Sequence, residues 1–332
     1  MLKKIFKIVA ISLLCLIIIP WIFYFIFAYQ GLLFSFWPRK ALEGKIVYST
    51  RTGPGIDLNS VELASAKKIK IHALDYFGYV NSSAISLDGN KVVISKLAGQ
   101  KGDSRFKLYT MNIDGSDIKE LLDLDNYNAK HPSWSPDGQE IAFISQKPYR
   151  HGSLYVTDID KPYSSLRNIC NIRPASYKPT WSSDGETISF ISDDRLSKRL
   201  NVKWRIEVFV GKVFTINKDG RNLRQFKASE PVSWSPDGSK LLYRSKDGYY
   251  ISDLSGAYTY AFIPYKRPAI SLLVEDPALV TWSPDGKYIA YVKEISPGWV
   301  GLGIYVVPID NPKKEIQISA EVLGVEDMVW VK

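Results

Sequence analysis

Three histidines (His72, His131, His151) and two cysteines (Cys15, Cys170) are all the imidazole and thiol groups in this 332-residue chain. That stock excludes a disulfide framework and a cysteine-based zinc module, and it argues against a histidine-rich metal centre. His131 and His151 could hold a metal only weakly as a pair, so they are read as surface histidines and no cofactor is expected. No Gly-x-Ser-x-Gly elbow, phosphate-binding loop or dinucleotide fingerprint occurs. What does recur is aspartate before glycine, at Asp88, Asp137, Asp184, Asp237 and Asp285, with spacings of 49, 47, 53 and 48 residues. One carboxylate per repeat cannot make an acid–base pair. Aspartate in a tight turn bonds its own backbone, and that is the role expected here.

The aspartates belong to longer repeats: NSSAISLDGNKVVIS (81–95), HPSWSPDGQEIAFIS (131–145), KPTWSSDGETISFIS (178–192), EPVSWSPDGSKLLYRS (230–245) and LVTWSPDGKYIAYVK (279–293). A period near 48 points to a propeller or a solenoid. In Ser-Pro-Asp-Gly, proline presets φ at the second turn position and glycine closes the hairpin. The tryptophan before the turn ends a short strand. The β-branched and aromatic run after it reads as a strand buried on both faces. A third strand (KLYTMNI, SLYVTDI, KVFTINK) and a polar fourth strand complete a four-stranded blade. Trp330 follows Trp282 by 48 residues, with the chain ending where its turn would be, and KIVYST at 45–50 reads as a second strand. Residues 45–332 are therefore expected to form an all-β, six-bladed propeller. The strand at 325–332 is expected to close the blade begun at 45, which leaves no open sheet edge.

Tryptophan-Ser-Pro-Asp-Gly repeated at this period resembles the propeller repeat of TolB and its relatives, a WD40-like family. Trp134–Gly138, Trp234–Gly238 and Trp282–Gly286 are intact. Trp181–Gly185 reads WSSDG, and the repeat at Asp88 has Ile85 and Leu87 in place of tryptophan and proline. The resemblance implies a protein-interaction platform on the outer side of a bacterial-type membrane. It is specific for fold and poor for function. Similar propellers occur in prolyl-oligopeptidase-type hydrolases, which add a catalytic domain, and in metal-assisted polysaccharide lyases, which use several histidines near the central channel. The signature tryptophans, including Trp330, are expected to pack between blades rather than to carry ligands.

The charge is unevenly placed. Lys3, Lys4, Lys7, Arg39 and Lys40 supply five of the nine net positive charges, and Ile8–Pro38 contains no charged residue. The globular part is thus only mildly basic, and nucleic acid is not an expected partner. Ile8–Ala28 is long enough to cross a bilayer, and Pro20 is tolerable there as a kink. It is longer than a signal-peptide core, and no small-x-small site follows it. Leu14 before Cys15 argues against a lipoprotein signal. The expectation is a cytoplasmic tail at 1–7, an uncleaved signal anchor and transmembrane helix at 8–28, a linker at 29–44, and a propeller on the periplasmic or extracellular side of the cell membrane. A cytoplasmic sensor domain is the outcome if the orientation is reversed.

In a propeller, the turn after the first strand lies on one rim. Loops that lead into the first strand, or join the second to the third, lie on the other. KIVYST as a second strand brings the chain in at the WSPDG rim, which is therefore expected to face the membrane. The opposite, distal rim carries basic and aromatic residues: Lys130, His131, Arg150, Arg173, Lys178, Arg199, Lys203, Trp204, Arg205 and Trp299, with Arg105 and Lys107 in a further loop. Arginine and aromatic anchors concentrate binding energy, and clustered charge steers association. The expected function is a non-catalytic scaffold that binds an acidic protein or an anionic glycan. The alternative is a hydrolase or lyase of a cell-surface polymer with its site in the channel.

Overall fold

The structure, a computed structural model, describes residues 42–74, 79–98, 105–124, 127–146, 152–171, 178–193, 211–226, 230–245, 248–253, 259–264, 279–294, 302–322 and 324–332. The chain divides into two units, Met1–Glu43 and Gly44–Lys332. The expected anchor at 8–28 lies outside the described residues. Among the described residues, no helix is long and apolar enough to cross a membrane.

Gly44–Lys332 folds as six antiparallel four-stranded sheets. Chain order gives β1 (Lys45–Thr52), β2 (Gly55–Glu62) and β3 (Lys68–Ala73). The second blade is β4 (Val80–Ile85), β5 (Lys91–Leu97), β6 (Phe106–Asn112) and β7 (Lys119–Leu122), and the third is β8 (Asn128–Trp134), β9 (Glu140–Gln146), β10 (Gly152–Asp158) and β11 (Arg167–Cys170). The fourth blade comprises β12 (Thr180–Trp181), β13 (Thr187–Asp193), β14 (Gly211–Asn217) and β15 (Arg224–Phe226). The fifth comprises β16 (Glu230–Trp234), β17 (Lys240–Ser245), β18 (Gly248–Asp253) and β19 (Thr259–Pro264). The sixth comprises β20 (Val280–Trp282), β21 (Tyr288–Glu294), β22 (Leu302–Pro308) and β23 (Ile316–Val322). The last strand, β24 (Val325–Val331), returns to the first blade and pairs with β1 in the order β24-β1-β2-β3. Ile46 lies opposite Trp330 and Val47 opposite Val329, which is the closure expected from the repeat count.

The second strand of each blade carries the uninterrupted apolar runs. Ile141, Ala142, Phe143 and Ile144 are all buried, as are Val92, Val93 and Ile94. Such a strand is covered on both faces, because each blade packs against a neighbour on either side. The core accordingly lies between blades. Val93 and Leu108 of the second blade pack with Trp134, Ile141 and Phe143 of the third. Ile144 and Leu154 of the third pack with Trp181, Ile188 and Phe190 of the fourth.

Candidate functional site at the axis and rims

The repeated turns use their polar groups locally. In the fourth blade the Ser182 hydroxyl donates to the Asp184 carboxylate at 2.5 Å and accepts from the Thr187 N–H at 2.9 Å. The Glu186 N–H donates to the same Asp184 oxygen at 3.0 Å. Ser135 with Asp137, Ser235 with Asp237, Ser283 with Asp285 and Ser86 with Asp88 repeat the pattern. The glycine that follows is left-handed each time, with φ of 69° at Gly138, 71° at Gly185, 70° at Gly238 and 70° at Gly286. These donors hold the Asp184 carboxyl below its ordinary pKa: the Ser182 hydroxyl contributes most, then the Glu186 N–H. The aspartates are turn formers, as expected.

The tryptophans tie one blade to the one before it. The indole N–H of Trp134 donates to Ala84 O at 3.0 Å, that of Trp181 to Ser133 O at 3.1 Å, and that of Trp234 to Ser189 Oγ at 3.1 Å. Trp330 stacks with Tyr288 of the sixth blade at 6.2 Å between centroids. Where WSSDG replaces WSPDG, the hydroxyl of Ser183 donates to Ser235 O in the next blade's turn, a bond that proline could not make.

Chemistry concentrates on the innermost strands, three residues before the signature tryptophan. Ser82, His131, Lys178 and Asp327 share that offset. Neighbouring blades follow chain order around the ring, so the first and fourth stand opposite one another. Lys178 Nζ nevertheless lies 2.6 Å from Asp327 Oδ1, and the pair therefore spans the axis. The other carboxylate oxygen accepts the Ile85 N–H of the second blade at 2.6 Å. Asp327 is 7% exposed and joins three blades. The mark it carries in the sequence is its offset of three residues from Trp330.

His131 takes a left-handed backbone, φ 51°, directly before Pro132, where the pairing of β8 with β9 shifts register. Its N–H donates to Ser82 Oγ at 3.0 Å. The side chain keeps some solvent contact while protein surrounds it closely. That desolvation, reinforced by the Lys130 charge, lowers its pKa to about 4, so the ring is neutral at physiological pH. Lys130 lies over the Phe106 ring at 4.5 Å, and burial lowers its pKa.

Several distal-rim cations are already partnered. Lys107 meets Asp123 at 2.7 Å and Glu120 at 3.3 Å, and Arg105 meets Asp123 at 3.2 Å. Arg51, which sequence reading passed over, pairs with Glu326 at 2.7 Å and donates to Val80 O and Asn81 O, pinning the first blade to the second. Arg150, His151, Arg173, Arg199, Lys203, Trp204, Arg205 and Trp299 lie outside the described residues. Among the described residues, no three His, Cys, Asp or Glu side chains are grouped to hold a metal ion.

This architecture is widely shared. TolB from Acinetobacter baumannii superposes with a TM-score of 0.62 at 17% identity, covering 87% of this chain and 66% of that one. The nidogen/laminin complex gives 0.59 at 11% identity, covering 86% and 98%. Oligogalacturonate lyase in complex with manganese gives 0.50 at 13%, covering 79% and 76%. At these identities the likeness is one of fold. The chain spans just under two thirds of the Acinetobacter TolB chain. No curated protein matches it in sequence. The family described as TolB beta propeller domain matches residues 45–249, which is more than half the chain, and this protein belongs to that family.

Proposed function

We propose that this protein is a non-catalytic binding scaffold, tethered to the cell membrane by residues 8–28 and displaying its propeller on the periplasmic or extracellular side. The observation that carries the reading is the state of the axial charges. Lys178 and Asp327 neutralise each other, and the second Asp327 oxygen is taken by a backbone N–H. A carboxylate held in this way is poorly placed to act as a general acid or base. Binding is then assigned to the basic and aromatic residues of the longest insertion between repeats, Lys203, Trp204 and Arg205, which lie outside the described residues. An acidic protein surface or an anionic glycan suits that composition.

The test is in-cell photo-crosslinking from position 204, read by mass spectrometry, with Ser239 in a WSPDG turn as the control. Specific capture of one partner from position 204 alone supports the scaffold. Capture from position 239 alone reverses the assignment of faces. A polymer-cleaving enzyme is the competing reading, and the observation in its favour is His131, neutral and backbone-strained at the same offset as the axial pair. Release of unsaturated or reducing ends from acidic polysaccharides by the wild type, and not by His131→Asn, would establish it.

A further inference from the structure

The distal end of the second blade gathers two aromatic rings and two cations from three blades. Tyr79, the residue before β4, accepts the Leu97 N–H at 2.9 Å, and Leu97 lies opposite Phe106, the first residue of β6. That pairing brings the two rings together, with centroids 6.0 Å apart and planes inclined by 59°. Tyr79 is 47% exposed and Phe106 is half-buried. Arg51 reaches the Tyr79 hydroxyl from the first blade, and Lys130 covers the Phe106 ring from the third.

The two cations differ. Arg51 is saturated by Glu326, Val80 O and Asn81 O. Lys130 has no carboxylate partner among the described residues; its one printed contact is the face of Phe106 at 4.5 Å. Burial without a counter-charge lowers its pKa. Much of the desolvation of this ammonium is already incurred in the folded protein, so an arriving anion gains the ion pair at less cost. Asn128, which opens β8 two residues earlier, accepts the Phe106 N–H on Oδ1 at 2.9 Å and has its amide NH2 left to donate.

One unpaired cation, an exposed aromatic ring and a neutral amide donor define the ligand. A uronate residue has an apolar C–H face that packs on an aromatic ring, a single carboxylate at its edge, and hydroxyls around it. An acidic peptide segment would ask for several free cations and for open backbone groups. Here Arg105 and Lys107 are held by Asp123, and the Leu97, Ala98 and Phe106 N–H groups are all bonded within the protein. We infer that Lys130, Phe106, Tyr79 and Asn128 form a subsite for one uronate residue of an acidic polysaccharide. The carboxylate pairs with Lys130 Nζ and the pyranose lies against Tyr79. The inference rests on the reading of the distal rim as a binding face, but it uses none of residues 203–205.

The full chain in detergent micelles is titrated calorimetrically with tetrasaccharides of mannuronate, glucuronate and galacturonate, with their carboxyl-reduced neutral counterparts, and with heptaglutamate. At least one uronate is expected to bind, its neutral counterpart about tenfold more weakly or worse. Lys130→Met and Tyr79→Ala should each weaken that binding about tenfold, with unchanged thermal unfolding showing that the fold is kept. Lys287→Met, the same loss of charge in a WSPDG turn on the opposite rim, should leave it unchanged. Absence of binding by all three uronates, an equal loss in Lys287→Met, or full binding by Lys130→Met overturns the subsite. Heptaglutamate binding that Lys130→Met abolishes, without uronate binding, overturns it in favour of an acidic protein. Crosslinking from position 204 that persists in any of these cases leaves the scaffold reading standing.

Discussion

Lys178 and Asp327, 149 residues apart in sequence, meet at 2.6 Å across the propeller axis. The contact links the fourth blade to the closing strand β24, and through Asp327 Oδ2 it also reaches the Ile85 N–H of the second blade. A ring closed by strand pairing in one blade is thereby braced across its centre by a single carboxylate.

Removing that carboxylate is expected to be costlier than removing its cation. Asp327→Ala orphans the buried Ile85 N–H and should destabilise by about 2–4 kcal/mol. Lys178→Met leaves Asp327 its backbone donor, and the partly exposed ammonium is screened by solvent, so about 1 kcal/mol is expected. The double variant should cost less than the two losses added together. Urea-denaturation midpoints measure all three; equal losses for the two single variants would show that the Ile85 bond contributes little.

His131 should make the fold acid-sensitive above the carboxylate range. Its folded pKa of about 4 lies below the unfolded value near 6.5, so the unfolded chain binds the proton more readily. The stabilisation is complete above pH 6.5 and is lost as pH falls towards 4, amounting to as much as about 2 kcal/mol at pH 5. His131→Asn tolerates the left-handed backbone and does not titrate, so its stability should stay flat over that window. Denaturation at pH 7 and pH 5 compares the two proteins.

A separate acid transition belongs to the turn aspartates. The Asp184 carboxyl is held low by Ser182 and the Glu186 N–H, so its contribution is present above the unfolded pKa near 4 and lost as pH falls through the lower folded value. Ser182→Ala removes the largest of these donors and should cost about 1 kcal/mol at neutral pH. It should also shrink the stability lost below pH 4, which acid titration followed by circular dichroism would report.

The tryptophans should not be equivalent. Trp181→Phe loses the indole bond to Ser133 O together with packing. Trp282 is 6% exposed, and its indole N–H has no partner among the described residues. Replacing Trp282 by phenylalanine therefore removes packing but no hydrogen bond, and it should be milder than Trp181→Phe by about 1 kcal/mol. Thermal unfolding of the two variants decides the order.

The sequence by itself determined the repeat, the turn chemistry, the four strands per blade and the closure of β1 by β24. Each is a local pattern, copied every 48 residues or so, and a ring follows once identical units pack side by side. Leu87 and Ile85 were also legible as departures from that pattern. Partner choice was not legible. Arg51 meets Glu326 from 275 residues away, and Lys107, read as a rim cation, is held by Asp123 and Glu120. Lys178 finds Asp327 only because ring closure places the first and fourth blades opposite each other and lets two side chains at one shared offset reach a common axis. Periodicity fixes which residues face inward within each repeat, whereas electrostatic pairing depends on distances that exist only once the circle is complete.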